Sequence, residues 1–204
     1  ANLLFNTLIE GELRFGKANA FGLELMLRKN TGRFTGSIGY TFSRALVTTP
    51  GVNGGETYPA SYDRPHEICV NLVWEDKKRW TATAAWIYMT GNPVTTPTGF
   101  YIYNGYQVPF YGERNNSRLP DYHRLDLSVK FRLNRENRRY NHSVAVTVYN
   151  AYGRWNPFSY SYNKIRDNDG NFVVPYDIPG TVNLVPTSIS VAGVIPSVNY
   201  IFRF

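Results

Sequence analysis

The sequence predicts an all-β fold, the wall of a transmembrane antiparallel β-barrel, on three observations. Strand-length stretches alternate apolar and polar residues with a period of two. Aromatic residues crowd toward the ends of these stretches, and short turns alternate with long loops between them. The closing stretch shows the pattern plainly: Phe204, Phe202, Tyr200, Val198, Pro196, Val194 and Ala192 share one face. Of the residues between them, Arg203, Asn199 and Ser197 are polar, while Ile201, Ile195 and Gly193 are not. In a membrane barrel such aromatics form the girdle at one lipid–water boundary. A sandwich edge strand ending at the surface is the plainer alternative.

Composition agrees. The chain is 43% hydrophobic and 16% aromatic, with sixteen Tyr, twelve Phe and four Trp against two Met, a β-favouring inventory. Mean hydropathy is −0.35, and no apolar run approaches the roughly 18 residues of a membrane helix. Barrel strands escape that test, because they are apolar only at alternate positions. The net charge of +7 invites a nucleic-acid reading. However, the basic residues sit mostly in turns (Lys29 and Arg33; Lys77, Lys78 and Arg79; Arg135, Arg138 and Arg139), so solvated turns are expected and no nucleic-acid partner. The single cysteine, Cys69, excludes an internal disulfide. No export signal precedes the strand-like sequence at Ala1; an exported barrel needs one, so the expectation is a removed signal or a missing true beginning.

In chain order, Leu3 to Phe15 alternates first, then Phe21, Leu23, Leu25 and Leu27 against Glu24 and Arg28. Asn30 to Arg33 is a tight turn in which Gly32 supplies a positive φ. Phe34, Ile38, Tyr40 and Phe42 then oppose Thr35, Ser37, Thr41 and Ser43. After a loop at about Thr48–Arg64 come Ile68, Val70, Leu72 and Trp74, a turn at Asp76 to Lys78, and Trp80, Ala82, Ala84, Trp86 and Tyr88. A second loop, Gly91–Pro120, leads to the most telling strand. There Leu125, Leu127, Val129 and Phe131 alternate with Arg124, Asp126, Lys130 and Arg132. Four charges on one face suit a water-filled or plugged lumen, so Arg124, Asp126, Lys130 and Arg132 are expected to point inward. The apolar set, with Phe34, Ile38 and Tyr40, is expected to face lipid. A basic turn, Asn134–Asn141, precedes Val144, Val146 and Val148; a third loop, Gly153–Pro186, holds a hairpin with its turn at Asp167 to Gly170. The result is roughly eight strands, most of about 10–14 residues, longer than the usual sandwich strand of about five or six.

No catalytic, cofactor or metal site emerges, and no enzyme is expected. Asp167–Asn171 faintly echoes a calcium loop, but Tyr176 stands where the bidentate acid belongs. His66, His123 and His142 lack metal spacing and read as polar or interfacial residues. Arg64, next to Asp63, reads as loop-to-strand anchoring through Asp63.

Several stretches together carry a resemblance. They are Gly22-Leu23-Glu24-Leu25, Thr31 to Gly36, Tyr40 to Arg44, Tyr62 to Glu67, Gly91-Asn92-Pro93, Arg114-Asn115, Arg118-Leu119-Pro120, Tyr122 to Asp126, Val148 to Tyr152, Asn156-Pro157-Phe158 and Ile195 to Phe204. As a set they resemble the carboxy-terminal part of a TonB-dependent outer-membrane receptor, of the kind common in Bacteroidota. The resemblance covers residues 1–204 as one carboxy-terminal barrel portion. It implies a barrel of about 22 strands with a plugged lumen, of which this chain supplies the last eight or so, in the bacterial outer membrane. It further implies import of a bound nutrient ligand, with the remaining strands and plug, TonB, the barrel-assembly machinery, membrane lipid and a surface lipoprotein as partners. Phe204, Phe202 and Tyr200 would be the assembly signal.

Eight strands cannot leave two open edges in lipid. They close alone as a small structural or adhesive barrel, or they pair with strands from elsewhere; the resemblance favours the second. A secreted carbohydrate-binding β-sandwich is the soluble alternative.

Overall fold

The computed structural model describes residues 14–76, 78–103, 106–134, 140–164, 169, 184–190 and 192–203. Strands dominate them, and no α-helix occurs among the described residues. In chain order the strands are β1 (Lys17–Lys29), β2 (Phe34–Thr48), β3 (Thr57–Pro59), β4 (His66–Glu75), β5 (Trp80–Met89), β6 (Pro93–Val94) and β7 (Pro97–Tyr103). Then follow β8 (Tyr106–Tyr111), β9 (Ser117–Arg118), β10 (Tyr122–Arg132), β11 (Asn141–Tyr149), β12 (Pro157–Lys164), β13 (Leu184–Ser190) and β14 (Ile195–Arg203).

The long strands form one sheet in the order β1-β2-β4-β5-β10-β11-β14, with β3 paired to the end of β2. Every pairing from β2 to β14 is antiparallel. Each strand lies beside the next long one in sequence, as the period-two alternation and the tight turns require. The turn after β1 works because Gly32 takes φ 98°, which a residue with a Cβ rarely adopts. Among the described residues no pairing returns from β14 to β1, so a closed barrel is not observed and the sheet is open at both sides. The strand expected over Leu3–Phe15 lies outside the described residues except for Arg14 and Phe15, which are not in a strand. The closing strand begins at Ile195 rather than Ala192, and Phe204 lies outside the described residues.

The long connections carry small sheets of their own: β6 with β9, β7 with β8, and β12 with β13. The β12–β13 hairpin occupies the third loop as expected, although its strands run longer and, apart from Asp169, the expected turn residues lie outside the described ones.

The chain divides into two compact units. One comprises Ala1–Phe21, Arg44–Asp63 and Asn92–Arg118. Its anchor is Asp63, whose side chain is wholly buried. The carboxylate accepts the Ala45 N–H at 2.6 Å and Arg44 Nε at 3.3 Å and pairs with Arg118, whose Nη1 also donates to the Asp63 carbonyl at 2.8 Å. Burial pushes the Asp63 carboxyl up, but the Ala45 N–H, Arg118 and Arg44 outweigh it and hold the group below the usual carboxylate range. Asp63 therefore anchors a loop through Arg44 and Arg118 rather than through the adjacent Arg64 that the sequence suggested; Arg64 directs Nη1 toward Met89 Sδ. In the same unit the Asn53 side chain donates to the Arg114 carbonyl at 3.0 Å and accepts the Arg114 N–H at 2.6 Å, and Asn115 Nδ2 donates to the Pro59 carbonyl at 2.6 Å.

The second unit comprises Gly22–Ser43, Arg64–Gly91 and Leu119–Phe204 and carries most of the sheet. Two residues fix how strands leave it. Gly91 packs so tightly that a Cβ would lie 1.7 Å from the Leu119 carbonyl oxygen, and its N–H donates to Asp121 at 3.0 Å. Asn150, 1% exposed, ends β11 at a positive φ of 54°, which Asn tolerates better than most residues. Its N–H donates to Asp126 at 2.9 Å, and its side-chain amide donates to the carbonyls of Arg154, Ala192 and Gly193 ahead of β14.

Candidate membrane interface

The sheet has two chemically opposite faces. Following the registers across it, one row reads Gly36, Leu72, Ala84, Leu127, Val148, Pro196. The next row reads Phe34, Trp74, Ala82, Val129, Val146, Val198. Rows beginning at Ile38 and Tyr40 continue through Val70, Trp86 and Leu125 and through Ile68, Tyr88 and His123. The apolar residues of β2 and β10 singled out from the sequence thus share one face. That face is open: Phe34 is 65% exposed, Leu127 40% and Val198 72%. Buried residues lie elsewhere, and the two most buried large side chains, Asn150 and Asp63, are polar. This inverts the usual soluble pattern of apolar core and polar surface.

Aromatic contacts occupy both ends of the apolar face. At the turn end, Phe34 packs on Trp74 with ring centres 6.5 Å apart, Trp80 on Phe131 at 4.5 Å, and Tyr140 on Phe202 at 5.8 Å. At the loop end, His66 stacks on Tyr40 at 6.1 Å, Trp86 on Tyr88 at 6.3 Å, and His123 meets Tyr152 at 5.4 Å. Each histidine also shares a hydrogen bond with a tyrosine hydroxyl: His66 with Tyr40 at 2.9 Å, His123 with Tyr152 at 2.8 Å, and His142 with Tyr200. All three histidines stand in rows of the apolar face, and nothing in the sequence signalled the tyrosine pairing.

Both rims run obliquely to the strands. The turn-end rim passes from the Phe34–Trp74 row to Trp80–Phe131 one row further out, then to Phe202. The loop-end rim steps in the same sense, from Phe42 and His66 to the row of Tyr88 and His123. The row containing Phe34 meets β14 at Val198, so the rim has shifted four residues by Phe202. Across five strand spacings that is about 13 Å in about 24 Å, an obliquity of roughly 30°.

The opposite face is polar, with rows such as Thr35, Val73, Thr83, Ser128, Thr147, Ser197. Arg124, Asp126, Lys130 and Arg132 all lie on it, as two separate groups. Arg124 reaches Asp126 at 2.9 Å, donates to the hydroxyls of Tyr122 at 2.9 Å and Tyr149 at 2.7 Å, and lies 4.2 Å from the Tyr149 ring centre. Lys130 and Arg132 sit at the turn end, around a cleft. Just before β10, the Tyr88 hydroxyl donates to Asp121 at 2.6 Å and, with the Gly91 N–H, holds that carboxyl below its usual range.

Tyr200 and Phe202 stand on the apolar face within the turn-end rim, whereas Phe204 lies outside the described residues. Among the described residues no His, Cys, Asp and Glu cluster could hold a metal, and no helix is long and apolar enough to cross a membrane. Comparisons with models of known protein families, with curated proteins and with solved structures returned no match.

Proposed function

We propose that this chain is a wall segment of a transmembrane β-barrel in a bacterial outer membrane. The observation that carries the proposal is the open apolar face bounded by two aromatic rims running obliquely to the strands. Burying one large apolar side chain is worth about 1.5–3 kcal/mol, so a face of this extent demands a cover. Lipid explains the pattern better than a second sheet would. A sandwich core has no reason to carry rings at both ends, whereas girdles at two lipid boundaries require them. The obliquity of roughly 30° approaches the strand tilt of barrels, about 35–45°. Trp80 and Tyr88, eight residues apart on β5, are separated by about 27 Å along the strand and by about 20 Å in projection at such a tilt. That fits the apolar band of a thin outer membrane, about 25 Å.

The outer edges of β1 and β14 find no partner among the described residues, and lipid tolerates no bare strand edge. This supports a wall completed by further strands. With the motif resemblance, it leads to a TonB-dependent receptor that imports a nutrient ligand, its long connections forming the outer loops and its polar face lining a plugged lumen. The assembly machinery would then read Tyr200, Phe202 and Phe204.

The test is extraction from cells exporting the chain within its full-length precursor. The protein should sediment with outer membranes, resist alkaline washing and dissolve only in detergent. Recovery in the soluble fraction would remove the proposal.

A further inference from the structure

A second feature of the sheet is independent of how its apolar face is covered. At the turn end, β4, β5 and β10 and the turns beside them enclose a cleft of about 670 Å³. Arg33, Arg79, Lys130 and Arg132 line it, against two acids, Glu75 and Asp76. The backbone holds these groups in place: Glu75 N–H donates to the Arg33 carbonyl at 2.9 Å, and Arg132 N–H to the Arg79 carbonyl at 3.0 Å. Glu75, Thr81 and Lys130 share one row on three adjacent strands. Among the described residues, Arg33, Arg79 and Lys130 make no ion pair. Four cations converging on one hollow repel each other, and two acids offset only part of that, so an anionic occupant gains Coulomb energy.

We propose that this cleft binds an acidic peptide segment. Its volume lies within the range of sites for drug-sized ligands, about 300–1,000 Å³, far more than a single phosphate would fill. The mixed lining points the same way. Glu75 and Asp76 repel a compact polyphosphate but accept peptide N–H groups, while guanidinium forks match spaced carboxylates. Gly32, Trp80 and Thr81 complete the lining.

The test uses the full chain purified in detergent and a fluorescein-labelled octapeptide of alternating Asp and Gly, followed by anisotropy at low salt. Saturable binding is expected, weakened at least tenfold in the Arg33→Gln/Lys130→Gln double variant and strengthened in Glu75→Gln/Asp76→Asn. Inorganic pyrophosphate should compete no better than sodium chloride of matched ionic strength. A zero-length carbodiimide cross-link on the unaltered chain guards against misfolded variants; it should join the peptide to Lys130. Equal binding by parent and variants, equal binding of a Lys-Gly octapeptide, displacement by micromolar pyrophosphate, or cross-linking confined to Lys78 would each overturn the proposal.

Discussion

Phe34 on β2 and Phe202 on β14 belong to the same aromatic rim, yet the cross-strand row that starts at Phe34 ends at Val198, four residues short of Phe202. A rim square to the strands would have kept both in one row. The offset means that whatever the apolar band faces lies at an angle to the strands, as a bilayer does to a tilted barrel wall.

The first prediction concerns the two faces of β10. Leu127 stands mid-band among Ala84 and Val148, while its neighbour Ser128 shares a 2.9 Å hydrogen bond with Thr147 on the polar face. Leu127→Arg should cost about 2–4 kcal/mol near mid-membrane, and Ser128→Arg far less. Urea unfolding in lipid vesicles measures both; equal costs would mean the faces are wrongly assigned.

Asp63 makes the loop unit pH-sensitive with a definite sign. Its folded pKa lies below the ordinary value of 3.8, so its contribution is complete above about pH 4 and is lost as pH falls through the depressed value. Pepsin digestion should therefore cut residues 92–118 faster as pH drops below that range. Asp63→Asn, which leaves Arg44 and Arg118 without their carboxylate, should be cut quickly throughout. A parent and variant with identical pH profiles would contradict the anchoring role.

Gly91 should not accept a methyl group. The atom it would strike, the Leu119 carbonyl oxygen 1.7 Å away, is backbone and cannot rotate aside. Gly91→Ala should cost about 1–3 kcal/mol through forced displacement. Gly39→Ala, with nothing within 4 Å of its Cβ, serves as the near-neutral comparison. Thermal unfolding in detergent separates the two.

On the proposed barrel, loop length sets which connections should face outward. Loops 48–64, 91–120 and 153–186 should be cut by protease added to whole cells, and the turns near Thr31, Lys77 and Glu136 should be protected. Cleavage confined to the turns would invert the arrangement.

The long strands and the order of turns and loops were legible in the sequence because alternation is local: Leu125 to Phe131 declares its two faces without a partner. That Arg124, Asp126, Lys130 and Arg132 share one polar face was legible for the same reason. What escaped depends on pairs distant in the chain. Asp63 meets Arg44 and Arg118, not the adjacent Arg64, and no spacing rule reaches across 55 residues. The β7–β8 hairpin hid in a stretch rich in Pro, Gly and Tyr, where turn residues mask short strands. The oblique rims needed the registers of six strands together.

The measurement closest to the central claim is a spin-label scan along β10 from Arg124 to Phe131 in lipid vesicles, with Cys69 replaced by Ala. Labels at 125, 127, 129 and 131 should be relaxed preferentially by oxygen dissolved in lipid, and those at 124, 126, 128 and 130 by a water-soluble nickel complex. A scan in which all eight positions favour the nickel complex, or in which the period of two vanishes, would contradict a membrane-facing wall.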